Sequence, residues 1–246
     1  MEPRFVGRLG LADGVTIANA ALGLLAVIAA PIDPGLAARL VLLAAVADGL
    51  DGVLARAYGH TPVGDVLDSL ADVVSFGVAP ALLVFYIATP EGGLALAPEL
   101  VLPIVVAMAF LVMAVTRLGL YTTDDLGVSH TEGVQTTLAA TVLGAAYLAG
   151  LMEPNVLLVG TAVLAVLMTA PFTYPDLRAR DALVMGVVQA LAIAIPTAAG
   201  HLFPRALLVA ACCYLLFGPR FYRRESSAAR SPSGGAARGS PSSEGP

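Results

Sequence analysis

Lysine is absent from this chain, and charge of either sign is scarce. All 13 basic residues are arginine, and charged residues make up 13% of the 246 positions. Soluble domains carry charge at about a quarter of their positions, so this composition excludes one. With 58% hydrophobic residues and a mean hydropathy of +0.85, the chain reads as an all-α integral membrane protein. Cysteine is nearly absent too. Cys212 and Cys213 are adjacent within an apolar run, which argues against a structural disulfide between them and offers no metal-ligand spacing. The net charge of -5, with no basic stretch interleaved with aromatics, argues against nucleic acid as a partner. The arginine-only usage fits both a GC-rich genome and a salt-adapted proteome. No internal repeat and no soluble domain are visible.

What is present is a series of apolar stretches, each long enough to cross a bilayer at roughly 20 residues. They fall near residues 12–31, 35–58, 63–88, 98–121, 132–151, 155–174, 180–200 and 203–219, which predicts about eight transmembrane helices. Prolines and glycines mark most of the breaks, among them Pro31, Pro34, Pro62, Pro90, Pro154, Pro175 and Pro204. Residues 1–11, with Arg4 and Arg8, read as a short interfacial segment. A signal peptide over Met1 to Pro31 is the competing reading, but Asp13, Thr16 and Asn19 form a polar face that a signal sequence does not need. Residues 225–246 are mostly Ser, Ala, Gly, Pro and Arg and are expected to be a disordered tail, leaving 1–224 as the transmembrane domain. With an even number of spans, one side collects the arginines and the other keeps only Arg39 and Arg205. By the positive-inside rule both termini are cytoplasmic in a multi-pass cell-membrane protein.

The stretch from Asp48 to Asp72 carries the chemistry. Asp48 and Asp51 share a helix face, with Gly52 and Ala55 one turn on. After a break at Gly59-His60-Thr61-Pro62, Gly64, Asp68 and Asp72 recur at intervals of four on a second helix. Four acids then face one another across a helical hairpin. Carboxylates in a membrane face a bundle interior or a water-filled cavity, and hard divalent cations take oxygen ligands, so the set suits two such ions side by side. The small residues Gly52, Ala55 and Gly64 leave room for a flat or extended ligand, whose phosphates Arg56 is placed to bind. Thr16, Asn19, Arg117, Gln135, Thr136, Thr137 and Asp181 are expected at the same membrane level. Asp65 is set aside as an acid serving the helix dipole.

The pattern Asp-x-x-Asp-Gly-x-x-Ala-Arg, a gap, then Gly-x-x-x-Asp-x-x-x-Asp resembles the signature of the CDP-alcohol phosphotransferase family of integral membrane enzymes. The gap Ala57 to Val63 is one residue shorter than is usual there, which the hairpin turn is expected to absorb. The resemblance implies the family fold, a homodimer, and magnesium or manganese, two ions, held by Asp48, Asp51, Asp68 and Asp72. It makes Asp72 the general base and places Gly52, Ala55, Arg56 and Gly64 against the cytidine diphosphate. An alcohol hydroxyl then attacks the lipid-side phosphorus of a CDP-linked lipid, releasing CMP. Thr16 and Asn19 match the second half of a Pro-Asn-x-x-Thr-x-x-Asn element, whose first two positions are here Ala12 and Asp13.

The run from Asp68 to Pro80 resembles the serine-transferring branch, and Val73 stands where glycerophosphate-transferring relatives usually place a lysine. Arg117-Leu118-Gly119-Leu120-Tyr121 lacks the second arginine of that branch's Arg-Leu-x-Arg-Phe-Asn run. Arg117 is therefore either a ligand for a phosphate or the serine carboxylate, or a positive-inside anchor. The expected activity is transfer of a phosphatidyl or archaetidyl group to L-serine, with inositol phosphate or glycerol 3-phosphate as alternative acceptors. A divalent cation transporter is a more distant reading, since it leaves Gly52, Ala55, Arg56 and Gly64 without a purpose and the far half of the spans is almost wholly apolar.

Overall fold

The computed structural model describes residues 9–59, 61–89, 98–120, 130–175 and 179–229. Local signals start and stop the first helices. In α1 (Leu11–Ala29) Asp13 accepts the Gly10 N–H at 2.7 Å, satisfying one of the donors that a helix start leaves open. In α2 (Pro34–Tyr58) Asp33 caps the Leu36 N–H at 2.9 Å and Pro34 opens the first turn. Gly59, at φ +100°, ends it. A tight turn leads to α3 (Gly64–Asp72), which runs without a break through a π-helical turn (Val73–Val78) into α4 (Ala79–Ala88).

A 3-10 turn (Pro98–Leu100) opens α5 (Val101–Leu120). Beyond it come β1 (His130–Glu132), α6 (Thr136–Leu148), α7 (Pro154–Met168), β2 (Thr173–Pro175), α8 (Ala179–Ala194) and α9 (Ala198–Ala229). Helix α9 is broken near its start, where Ala199, Gly200 and His201 have positive φ. The bundle packs through small residues: Ala37 and Ala38 cluster with Leu42, Ala26 and Ala44 with Phe76, and Ala81 and Ala114 with Phe110. Tightest is the crossing of α1 over the π-helical turn, where a Cβ on Gly23 would stand 2.5 Å from Ser75 Oγ.

Helix polarity alternates along the chain, so the bundle has two distinct ends. At one, His201 Nδ1 lies 2.7 Å from the Leu148 carbonyl, and Arg205 Nε donates to that of Ala149 at 3.2 Å. These contacts satisfy carbonyls left open at the end of α6. At the other, β1 and β2 pair antiparallel, with Thr131 opposite Tyr174. The Tyr174 hydroxyl donates to the Leu215 carbonyl of α9 at 3.1 Å.

Each of the eight predicted stretches coincides with helix, but not with an equal claim to span a bilayer. Among the described residues four segments are long and apolar enough: Leu11–Ala29, Gly64–Ala88, Pro98–Leu120 and Ala198–Pro219. Helix α2 is too polar by that measure, carrying Arg39, Asp48, Asp51 and Arg56. Helices α6 and α7 have 13 and 15 residues, hence only about 20 Å each at 1.5 Å per residue. Helix α6 begins later than predicted because Gly133, at φ +75°, presses against the Met168 carbonyl, where a Cβ would stand only 2.0 Å from the oxygen. At the C-terminus, α9 continues to Ala229, five residues into the segment expected to lack structure. Residues 1–8 of the expected interfacial segment 1–11, and residues 230–246 of the expected tail, lie outside the described residues.

Candidate active site

The acids gather at the bundle end where α1 begins, α2 ends, α3 begins, α5 ends and α6 begins. One oxygen each of Asp48, Asp68 and Asp72 lies within 4.8 Å of the others. Carboxylates this close repel one another unless a proton or a cation lies between them. Two oxygens, Asp68 Oδ1 and Asp72 Oδ1, are buried without a hydrogen-bond partner among the described residues. Buried acceptors left open are costly. An all-oxygen anionic set with unused acceptors fits a hard divalent cation such as magnesium or manganese.

Asp51 lies outside this triad, yet close enough for its charge to act on Asp48, Asp68 and Asp72. Three residues of helix turn it about 60° away from Asp48, toward α1, and its Oδ2 accepts the Thr16 hydroxyl at 2.6 Å. Asp51 and Asp68 instead share the wall of a pocket between α1, the end of α2 and the start of α3. Thr16, Gly52, Ala55 and Gly64 line the same pocket. Arg56 is exposed, with its guanidinium folded back so that a Cβ on Gly52 would lie 3.5 Å from Nη1. Gly52 thus keeps the wall thin beside this cation.

Asn19 and Arg117 are among the predicted residues outside that wall. Asn19, one turn further along α1 than Thr16, is fully buried, and neither amide atom has a partner among the described residues. Its carbonyl accepts the Ser75 hydroxyl at 2.8 Å. Arg117, in the last turn of α5, is buried and close enough to Asp72 for their charges to interact.

Other members of the site were named from sequence without a role in it. Thr137, at the start of α6, donates to Asp48 Oδ2 at 3.3 Å. Only its place in the polar run Gln135-Thr136-Thr137 hinted at this. Asp65, set aside as a helix-dipole acid, lines the pocket, as do Ala12, Gly59 and Thr61. Asp13, at 3% exposure, lines it too. Its position early on the polar face of α1 was the available signal.

Comparison with known proteins gives this geometry a family. Residues 9–174 match the model of the CDP-alcohol phosphatidyltransferase family. The chain is 32% identical over 180 residues to the archaetidylserine synthase of Methanothermobacter thermautotrophicus, covering 71% of this chain and 73% of that protein. It is also 40% identical over 77 residues to the CDP-diacylglycerol–serine O-phosphatidyltransferase of Mycobacterium leprae, which is 30% of this chain and 26% of that protein. An enzyme of the same description from Methanocaldococcus jannaschii is 42% identical over 76 residues, 30% of this chain and 35% of that protein. The carboxylate triad, the pocket beside it and a match over most of the chain together make this protein a member of the CDP-alcohol phosphatidyltransferase family of enzymes.

Proposed function

We propose that this enzyme transfers the lipid phosphatidyl or archaetidyl group of a CDP-linked lipid to the hydroxyl of L-serine, releasing CMP. The observation that carries the reading is the pocket in which Thr16, Gly52, Ala55, Gly64, Asp51 and Asp68 meet, with Asp68 shared by the carboxylate triad. A nucleotide held there has its pyrophosphate directed at the acids. Relatives named for transfer to serine favour that acceptor.

Asp48, Asp51, Asp68 and Asp72 would hold two divalent cations, magnesium or manganese, which supply charge for the phosphoryl oxygens as they become more negative. The protein groups do the rest. Asp72, buried behind Asp68 and next to Arg117, takes the proton of the serine hydroxyl. The freed oxygen bonds to the lipid-side phosphorus, the bond from that phosphorus to the bridging oxygen breaks, and CMP leaves. Thr16 holds Asp51 and Thr137 holds Asp48 in place. Arg56 steadies the departing phosphate, and Arg117 offers its charge to the serine carboxylate or a phosphate oxygen.

The same reading carries the remaining expectations. The chain crosses the cell membrane eight times, the short or polar helices being shielded by the longer ones, with the site at the cytoplasmic face. It pairs as a homodimer through its membrane helices. The test is CMP release by purified protein with magnesium or manganese, offering L-serine, inositol phosphate and glycerol 3-phosphate separately. CDP-archaeol and CDP-diacylglycerol are compared as donors. Release with serine alone is expected, and lost on chelation. Release only with a phosphorylated alcohol replaces the acceptor and keeps the catalytic roles, whereas metal flux into liposomes without CMP release makes the protein a transporter.

A further inference from the structure

Asp13 is a buried acid of the pocket that the signature does not absorb. The residue is 3% exposed and stands in the pocket wall with Thr61 and Gly64. Oδ2 accepts the Gly10 N–H at 2.7 Å and Oδ1 the Thr61 hydroxyl at 3.1 Å. Both donors are neutral. An ionised carboxylate has about four acceptor positions, so two remain open on a group already fixed in direction.

The rest of the pocket orders a nucleotide within it. Asp68 and Asp51 mark the end toward the acids, where a pyrophosphate belongs. Gly52 and Gly64 leave the wall open and smooth, since a Cβ at Gly64 would already touch Asp13 Oδ1 and Thr61 Oγ1 at 3.4 Å. The base is left with the end formed by Asp13 and Thr61, one turn of α1 away from Thr16 and its partner Asp51. At position 4 cytosine presents an amino donor, whereas uracil presents a carbonyl acceptor. A fixed acceptor attracts the first and repels the second.

We propose that Asp13 is the base-reading residue of this pocket, its carboxylate accepting a hydrogen bond from the exocyclic amine of cytosine and so excluding uracil. The proposal rests on the pocket taking the nucleotide of a CDP-linked lipid. It also gives the acid a purpose at a position where the resembling motif has asparagine. A carboxamide presents a donor as well as an acceptor and can turn to suit either base, whereas a carboxylate cannot.

The experiment measures labelled lipid product formed from CDP-lipid and serine, inhibited by CMP, UMP or N4,N4-dimethyl-CMP, in which both amino hydrogens are replaced. For the unaltered enzyme, CMP should inhibit on the order of tenfold more tightly than either of the others. In Asp13→Asn the advantage of CMP over UMP should fall to about twofold, because the amide still accepts from Thr61 yet can turn its donor to the base. Equal inhibition of the unaltered enzyme by CMP and its dimethyl derivative overturns the proposal, and needs no variant to fold. So does an Asp13→Asn enzyme that binds all three nucleotides more weakly by one common factor, since that is what a purely structural clamp would do. Absence of product with every acceptor overturns the functional reading beneath it; product with an unaltered nucleotide ranking in Asp13→Asn overturns only the role of Asp13.

Discussion

At the scale of single residues, the site divides into groups that react and groups that hold. Asp72 is buried, keeps an unpartnered Oδ1 among the described residues, and interacts with Asp48, Asp68 and Arg117. Asp72→Asn keeps the size and removes the base, so turnover should fall about 10²- to 10⁴-fold while CDP-lipid binding, measured by equilibrium dialysis, stays within a few-fold. Loss of binding instead would make Asp72 chiefly a metal ligand. Thr137 touches no substrate in this scheme and acts through Asp48. Partners of metal ligands typically set metal affinity by 10- to 100-fold, and a 3.3 Å bond belongs at the weak end. Thr137→Val should raise the magnesium concentration for half-maximal activity about tenfold at unchanged maximal rate, with Thr137→Ser restoring it. An equal fall in maximal rate for both variants, at unchanged magnesium dependence, would assign Thr137 a packing role. The acids were legible in sequence because charge in an apolar span has few other uses. Thr137 was legible as one of the polar groups at that level, but its bond to Asp48 was not, since that partner lies 89 positions earlier.

At the scale of elements, the helices were legible from apolar length and from Pro and Gly punctuation, as Pro34 and Gly59 at the two ends of α2 illustrate. The stretch predicted as one span over 63–88 is one helical run, but nothing in its hydropathy marks the π-helical turn at Val73–Val78. Such a turn inserts backbone without changing side-chain polarity, and so leaves no periodic trace. Three-residue strands such as β1 and β2 are equally silent, being too short to show alternation. The turn rephases the helix so that Asp68 and Asp72 face α2 while Ser75 seats against α1. Only glycine fits opposite, since a Cβ at Gly23 would stand 2.7 Å from Ser75 Cα as well as 2.5 Å from its Oγ. Trimming the serine therefore does not make the room. Gly23→Ala should cost about 1–3 kcal/mol through overpacking, seen as a thermal midpoint lower by roughly 2–10 °C in detergent, and Ser75→Ala should not rescue it. Gly160, in α7, has nothing within 4 Å of an added Cβ, so Gly160→Ala should leave the midpoint unchanged or raised, by up to about 1 kcal/mol of helix propensity. Equal losses at both positions would mean that the α1 crossing is not the constraint.

At the scale of the whole molecule, one question couples site to orientation: which side of the membrane the acids face. The polar contacts place Thr16, Asp51, Thr137 and Asp48 at one end and His201, Arg205 and the α6 carboxyl end at the other. The site end collects Arg56 and Arg117, whereas Arg39 and Arg205 lie at the opposite one. Arginine near span ends is retained on the cytoplasmic side; under the proposed function that side must hold the site, where serine and CMP exchange, while the exposed Leu24, Ile28, Val105 and Val112 of α1 and α5 offer an apolar surface for lipid. Orientation is therefore a test of function as well as of topology. Fluorescent-protein and alkaline-phosphatase reporters joined after Arg224, and others inserted at Gly150 between α6 and α7, should give opposite results: fluorescence without phosphatase activity at the first, phosphatase activity without fluorescence at the second. Fluorescence at both positions would show that α7, α8 and α9 do not cross an odd number of times. The reverse pattern would turn the acids outward, away from the nucleotide pool, and with that the transfer reaction would lose its supply of donor.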